Sequence, residues 1–220
     1  MMTVHHLNNS RSQRVLWLLE ELGVPFAIKP YKRMPNLLAP PELKEVHPLG
    51  KSPVLTDGKR TVAETGAIMD YVLAAYGEGR LVPAAGTEDR LAYTYWMHYA
   101  EGSAMTPLFM GLVAANIPRH TPFLIRPIAA RIARTLEETL VTPNLTANID
   151  FWEASLAKTA WFAGADFTAA DIMMSFPLEA AASRADALTR PHVKSWLQRI
   201  HARPAYKTAL ERGGPYLYAN

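Results

Sequence analysis

Apolar and polar positions alternate in a changing rhythm over the first 76 residues. Met2–Leu7 is a short, mostly apolar run of strand length. Val15, Leu18, Leu19 and Leu22 then recur at i, i+3, i+4 and i+7, which marks one face of a helix. Gly23 ends that helix and Pro25 stands just beyond it. Phe26–Tyr31 reads as a second strand, and Pro40-Pro41 opens a short helix around Glu42–Val46. Pro53–Thr56 and Arg60–Ala63 flank Asp57-Gly58, a hairpin turn signal. Ile68, Tyr71, Val72 and Ala75 repeat the helical stripe. The order β-α-β-α-β-β-α predicts a mixed sheet with helices packed on it.

Gly77–Gly86 breaks the pattern with Gly, Ala and one Pro, and reads as a linker. Only helical signals follow. Thr87 can cap a helix whose first turn holds Glu88 and Asp89 at its positive end. Thr121-Pro122 has the form of a second start, cap then proline. A third helix is expected over Asn148–Lys158. Thr168-Ala169-Ala170-Asp171 is a capping box with Asp in place of Glu, and Phe167 and Ile172 can staple it. Val193, Trp196, Leu197 and Ile200 form a last stripe, which Pro204 interrupts. The fold class expected is an α/β N-terminal domain over residues 1–80 and an all-α C-terminal domain over residues 87–220.

With 220 residues, 49% of them hydrophobic and 20% charged, the chain can bury a sizeable core. No apolar run reaches the roughly 18 residues that span a bilayer. The start lacks the basic-then-apolar form of a secretory leader. A cytoplasmic protein with no membrane partner is expected. The formal charge of +3 is mild, and Lys29–Arg33 is the only local basic cluster, so a nucleic-acid partner is not expected. The absence of cysteine removes disulfides, thiolate metal ligands and a cysteine nucleophile. No metal or nucleotide motif replaces them. His5 and His6, adjacent on a strand, point to opposite faces.

What remains is the junction Asn8-Asn9-Ser10, where a strand meets a helix start. Unpaired backbone N–H groups and the positive end of the helix dipole favour an anion there.

Four local patterns give that anion an identity. Asn9-Ser10-Arg11-Ser12-Gln13-Arg14-Val15 is similar to the S-x-x-x-R-V helix start of serine-type cytosolic glutathione S-transferases. His47-Pro48-Leu49-Gly50-Lys51-Ser52-Pro53-Val54-Leu55 resembles their N-P-x-G-K-V-P-x-L. Ala63-Glu64-Thr65-Gly66-Ala67-Ile68 resembles E-S-x-A-I, and Phe167–Ile172 the capping box of their second domain. The start is most similar to bacterial members related to a yeast subgroup. The resemblance implies a thioredoxin-like first domain that binds glutathione, and a helical second domain for the electrophile and for homodimerisation. It also implies glutathione as cosubstrate, no resident cofactor or metal, and a small hydrophobic electrophile.

Carried onto this chain, the resemblance makes Pro53 a cis-proline. The backbone of Ser52, where Val is usual, then pairs with the cysteinyl part of glutathione like an added strand. Glu64 and Thr65 meet the γ-glutamyl amine and carboxylate, and Lys51 the glycyl carboxylate. Ser10 donates its hydroxyl to the thiolate, with Asn9 as the alternative donor. A thiol pKa near 8.5 must fall by roughly 2 units, about 3 kcal/mol, for the thiol to be mostly ionised at neutral pH. A hydrogen bond to a charged acceptor supplies about 1.5–3 kcal/mol and a helix start about 0.3–1. Tyr99, Met105, Phe109 and Met110 are candidates for the electrophile wall, with plain core as their other reading. Family members often also reduce organic peroxides. The competing readings are a non-catalytic glutathione or ligand-binding scaffold and, more remotely, a nucleic-acid binder.

Overall fold

The computed structural model describes residues 1–36, 38–183 and 186–218. Strand β1 (Met2–Leu7) pairs in parallel with β2 (Phe26–Tyr31), Met2 opposite Phe26 and Leu7 opposite Tyr31. It pairs antiparallel with β3 (Val54–Asp57), His5 opposite Val54. β3 and β4 (Arg60–Ala63) form the hairpin, with Gly58 at φ 59° in the turn. The sheet order is β2-β1-β3-β4. β3 starts one residue later than its sequence signal, at Val54, because Pro53 carries no N–H for a ladder. The Ser52–Pro53 bond is cis. Helices α1 (Ser12–Leu22), α2 (Leu43–Val46) and α3 (Thr65–Tyr76) complete the thioredoxin-like arrangement.

The second half is helical. α4 (Glu88–Tyr99) starts at Thr87, whose hydroxyl accepts the Arg90 N–H, and continues through a π-helical segment, Ala100–Ala104, into α5 (Met105–Asn116). α6 (Arg126–Leu136) passes through a second π segment, Glu137–Val141, into α7 (Thr142–Leu156). α8 (Ala169–Ala182), α9 (Pro191–Ala202) and α10 (Pro204–Gly213) follow.

Three sequence expectations shift here. Thr121-Pro122 does not open a helix: the Thr121 hydroxyl donates to the Ile117 carbonyl, closing the preceding turn, and α6 begins at Arg126 with Pro127 in its first turn. The helix expected at Asn148 begins at Thr142, with Pro143 in its first turn. Pro204 does not interrupt α9 but opens α10, where its missing N–H leaves no bond unmade.

Two helices hold the halves together. α8 has thirteen of its fourteen residues buried, Ala169–Ala181. Asp171 anchors its start: one carboxylate oxygen accepts the Phe162 N–H at 3.1 Å and Trp196 Nε1–H at 3.0 Å, the other accepts the Thr168 N–H at 3.0 Å and hydroxyl at 3.3 Å. Burial pushes this carboxyl up to about 6, and the four donors hold it down, so it is ionised at neutral pH. Phe167, the expected staple residue, packs on Trp17 and Trp161.

α1 is the other. Its stripe of Val15, Leu18, Leu19 and Leu22 is buried as expected, but so are Ser12, Gln13, Arg14, Leu16 and Trp17. The second face is covered by the helical half: Trp17 meets Tyr206 of α10 edge-on at 5.0 Å, and Arg14 donates to the Met173 carbonyl of α8 at 2.7 Å. No helix among the described residues is long and apolar enough to cross a membrane.

Candidate functional site

Leu7, the last residue of β1, organises the site. Its N–H donates to Ser52 Oγ at 3.2 Å, and Ser52 Oγ–H in turn donates to the His5 carbonyl at 2.9 Å. The Leu7 carbonyl accepts from the Ser12 hydroxyl at 3.3 Å. Ser52 and the start of α1 therefore flank one residue. The hydroxyl that replaces the usual Val ties β1 to the loop before β3, and its backbone N–H and C=O have no backbone partner among the described residues.

Ser10 is buried beside Ser12. Its Oγ accepts the Ser12 N–H at 3.3 Å and lies 2.7 Å from Ser12 Oγ, which is 2.8 Å from His6 Nδ1. The N-cap position itself falls on Arg11, so Ser10 stands one residue ahead of the helix and satisfies one of its orphan donors. Asn9 sits at φ 51°, a left-handed conformation that Asn tolerates. Its side-chain oxygen accepts the Leu217 N–H at 2.9 Å, and its carbonyl accepts from Arg33 at 3.4 Å.

Thr65 opens α3 and is buried, whereas Glu64 before it is exposed at φ 71°. The Thr65 hydroxyl accepts from Arg14 Nη2 at 3.4 Å. The same nitrogen donates to Glu101 Oε1, and Arg11 Nη1 meets Glu101 Oε2 at 2.6 Å. Burial alone would raise the Glu101 carboxyl; Arg14 and then Arg11 overcome that and hold it below its ordinary value. Lys51 is exposed. The structure thus joins Ser10, Ser52 and Thr65 through shared neighbours, with Pro53, Glu64 and Asn9 adjoining in the chain.

Four polar residues at this centre escaped the sequence reading. Arg14 was visible only as part of the R-V match, yet it carries Thr65. Ser12 follows Ser10 by two positions, and the alternation of β1 put one histidine on the α1 face without saying which. Glu101 had no local signal, since the π segment decides its direction.

Residues 1–74 match the family description "Glutathione S-transferase, N-terminal domain" and residues 129–204 the matching C-terminal domain. Glutathione S-transferase 3 of Schizosaccharomyces pombe is 35% identical over 96% of this chain and 88% of its own length. The chain belongs to the glutathione S-transferase family. Glutathione S-transferase 1 of Saccharomyces cerevisiae is 33% identical over 95% of this chain and 94% of its own length. A solved glutathione S-transferase from Actinobacillus pleuropneumoniae superposes with a TM-score of 0.79 at 31% identity, covering 99% of this chain and 94% of that one.

For a glutathione S-transferase, the wall expected for the electrophile needs correction. Tyr99 and Met105 are core residues. Tyr99 stacks on Tyr95 at 5.4 Å and donates its hydroxyl to Asn148 at 2.6 Å. Phe109 is 59% exposed and Met110 half-buried. A cavity of about 760 Å³ opens instead between α5, α6 and the second π segment, lined among others by Leu108, Gly111, Ala133, Glu137 and Val141. None of the four expected residues lines it. No cluster of three metal-ligating side chains occurs among the described residues.

Proposed function

We propose that this glutathione S-transferase binds glutathione against the Ser52 backbone, with its γ-glutamyl end at Glu64 and Thr65 and its thiol at Ser10. The observation that supports this is the grip on Leu7. Ser52 holds its N–H and Ser12 its carbonyl, so the peptide-binding edge and the thiol position are fixed to one point. Lys51, exposed and next in the chain, is the partner proposed for the glycyl carboxylate.

Ser10 is preferred over Asn9 for the thiolate because the Asn9 side-chain oxygen is engaged by Leu217. The thiolate attacks the electrophile: an S–C bond forms and the leaving group departs with its electron pair. With an organic hydroperoxide the thiolate sulfur attacks the O–O bond and the alcohol leaves. A second glutathione then releases the disulfide.

The outward side of α4 and α5 exposes Leu91, Tyr95, Phe109 and Val113, and α6 exposes Ile128 and Ile132. Exposed apolar area of this kind marks an interaction surface, and we assign it to a homodimer. Sedimentation at micromolar protein tests this, and a monomer there overturns it.

The decisive experiment titrates the ultraviolet thiolate band of bound glutathione against pH. Ser10→Ala removes a hydrogen bond to a charged acceptor worth about 1.5–3 kcal/mol, which raises the thiol pKa by roughly 1–2 units. Asn9→Ala leaves it in place. An unshifted titration in Ser10→Ala overturns the assignment. Glutathione binding without any ionisation in the unaltered protein points to the non-catalytic scaffold.

A further inference from the structure

The Ser10 hydroxyl is the front of a buried hydrogen-bond chain that ends on a titratable group. Ser10, Ser12 and His6 are 6%, 0% and 3% exposed, and the two links measure 2.7 and 2.8 Å. Both links are short enough for proton transfer along them. The far side of the His6 ring faces the end of α10. Nε2 lies 3.5 Å from where a Cβ on Gly213 would stand, and the Gly213 backbone accepts a hydrogen bond from the ring.

That contact fixes the direction of the chain. With the Nε2 proton given to the Gly213 carbonyl, Nδ1 of the neutral ring carries a lone pair. Ser12 then donates to Nδ1, and Ser10 donates to Ser12. The Ser10 proton points away from the site, and one Ser10 lone pair is taken by the Ser12 N–H. What Ser10 shows an incoming thiol is its remaining lone pair, which accepts.

We propose that Ser12 and His6 form a proton relay behind Ser10 that takes up the proton of the glutathione thiol; the proposal rests on the assignment of Ser10 to the thiol. The S–H bond breaks and its electron pair stays on sulfur. The thiol proton passes to Ser10 Oγ, the Ser10 proton to Ser12 Oγ, and the Ser12 proton to His6 Nδ1. The products are a thiolate and an imidazolium. Every hydrogen bond in the chain is now reversed, so Ser10 donates to the thiolate it has just helped to form. The same hydroxyl first accepts and then donates.

The surroundings suit that task. Burial lowers the basicity of His6 and the Gly213 carbonyl partly restores it, so the ring is neutral before glutathione arrives. The C-terminal end of α10 favours the imidazolium once formed. The charged and titratable groups on the neighbouring elements are turned elsewhere. Arg14 of α1 binds Thr65, Glu101 and Met173. Arg212 of α10 binds Glu20 and the Phe26 carbonyl. His5 of β1 lies 2.9 Å from the Tyr31 hydroxyl and 3.3 Å from that of Thr56. Opposite His6 on β2 is Pro30. Ser12 and His6 touch neither substrate; they are positioning residues that act through Ser10.

The test counts protons. Glutathione is titrated into the full-length protein by calorimetry in two buffers of different ionisation enthalpy near neutral pH, with the thiolate band recorded in parallel. The relay keeps the thiol proton in the protein, so thiolate forms with almost no proton released. In Ser12→Ala and in His6→Asn the chain is cut, and each thiolate formed releases a full proton to the buffer, with its pH midpoint moved up. Ser12→Ala removes a single oxygen and serves if His6→Asn does not fold. A full proton released by the unaltered protein, or the same proton count in both variants as in the parent, overturns the relay. Ser10→Ala separates the two claims: thiolate formation unaffected by it removes the Ser10 assignment itself, whereas thiolate lost in Ser10→Ala with unchanged proton counts in the other two leaves Ser10 standing and removes only the relay.

Discussion

Replacing Glu101 by Gln separates two ion pairs that share one carboxylate. The Arg14 side chain is 1% exposed and that of Glu101 29%, whereas that of Arg11 is 38% exposed. The Arg11 arm is close to a surface pair and contributes about 0–1 kcal/mol. The Arg14 arm is different, because Arg14 has little water to fall back on. Removing a partner from a buried pair costs about 3–5 kcal/mol. Gln still offers one oxygen, which reduces the loss to about 1.5–3, the scale of one hydrogen bond to a charged group. The sum for Glu101→Gln is about 2–4 kcal/mol, or a melting point lower by about 4–16 °C for a chain of this size. Arg11→Gln is expected to lose less than about 1 kcal/mol, and most of that is expected to vanish in molar salt. The pH dependence has a definite sign. Glu101 is held below its ordinary value when folded, so its contribution is intact above the normal carboxylate range and is lost as pH falls through the depressed value. The gap between parent and Glu101→Gln is therefore constant at neutral pH and closes on acidification. Calorimetric melts of the three proteins at two salt concentrations and several pH values decide the matter. Equal losses in Arg11→Gln and Glu101→Gln, or a Glu101→Gln melt within a degree or so of the parent, would refute the claim that burial of Arg14 sets the magnitude.

Other substitutions probe the remaining contacts. Thr65→Val takes the acceptor from Arg14 and the hydroxyl from the γ-glutamyl carboxylate; KM for glutathione is expected to rise about tenfold while Thr65→Ser stays near the parent, and steady-state kinetics at varied glutathione shows it. Ser52→Ala removes the two bonds that tie β1 to its loop and is expected to lower urea stability by about 1–3 kcal/mol; an unchanged midpoint would mean the Leu7 grip contributes nothing. At Gly213 an added Cβ would stand 2.7 Å from Gln13 Oε1 and 2.8 Å from Leu16 Cδ1, both buried. The clash of about 1–3 kcal/mol outweighs the helix-propensity gain of about 1, so Gly213→Ala is expected to melt below the parent, and a higher melt counts against the tight packing of α10 on α1.

Local signals carried most of the fold and little of the site. The stripe of α1, the Asp57-Gly58 hairpin and the Thr168–Asp171 box depend on residues within a few positions of each other, and each stands where its pattern placed it. Thr121-Pro122 has a local pattern too, but the Thr hydroxyl is spent backwards on Ile117. The second buried face of α1 had no pattern at all, because Ser12, Gln13 and Arg14 are polar and what buries them arrives from α8 and α10. Glu101 depends on the π segment, and which histidine meets Ser12 depends on the pleat of β1. Tyr99 and Met105 show the converse: apolar residues near a proposed pocket are more often part of the core than its lining.

The two-sided burial of α1 bears on biosynthesis. The helix is among the first segments to leave the ribosome, but Leu16, Trp17 and the Arg14 guanidinium have nothing to cover them until α8 and α10 are made. At roughly 5–20 residues per second that wait lasts about 10–40 s. During it the nascent chain carries an apolar and partly charged surface that only its own C-terminal third can cover. A holding chaperone is the natural occupant of that interval, and a chain released before α10 would be a substrate for proteolysis rather than a smaller working domain.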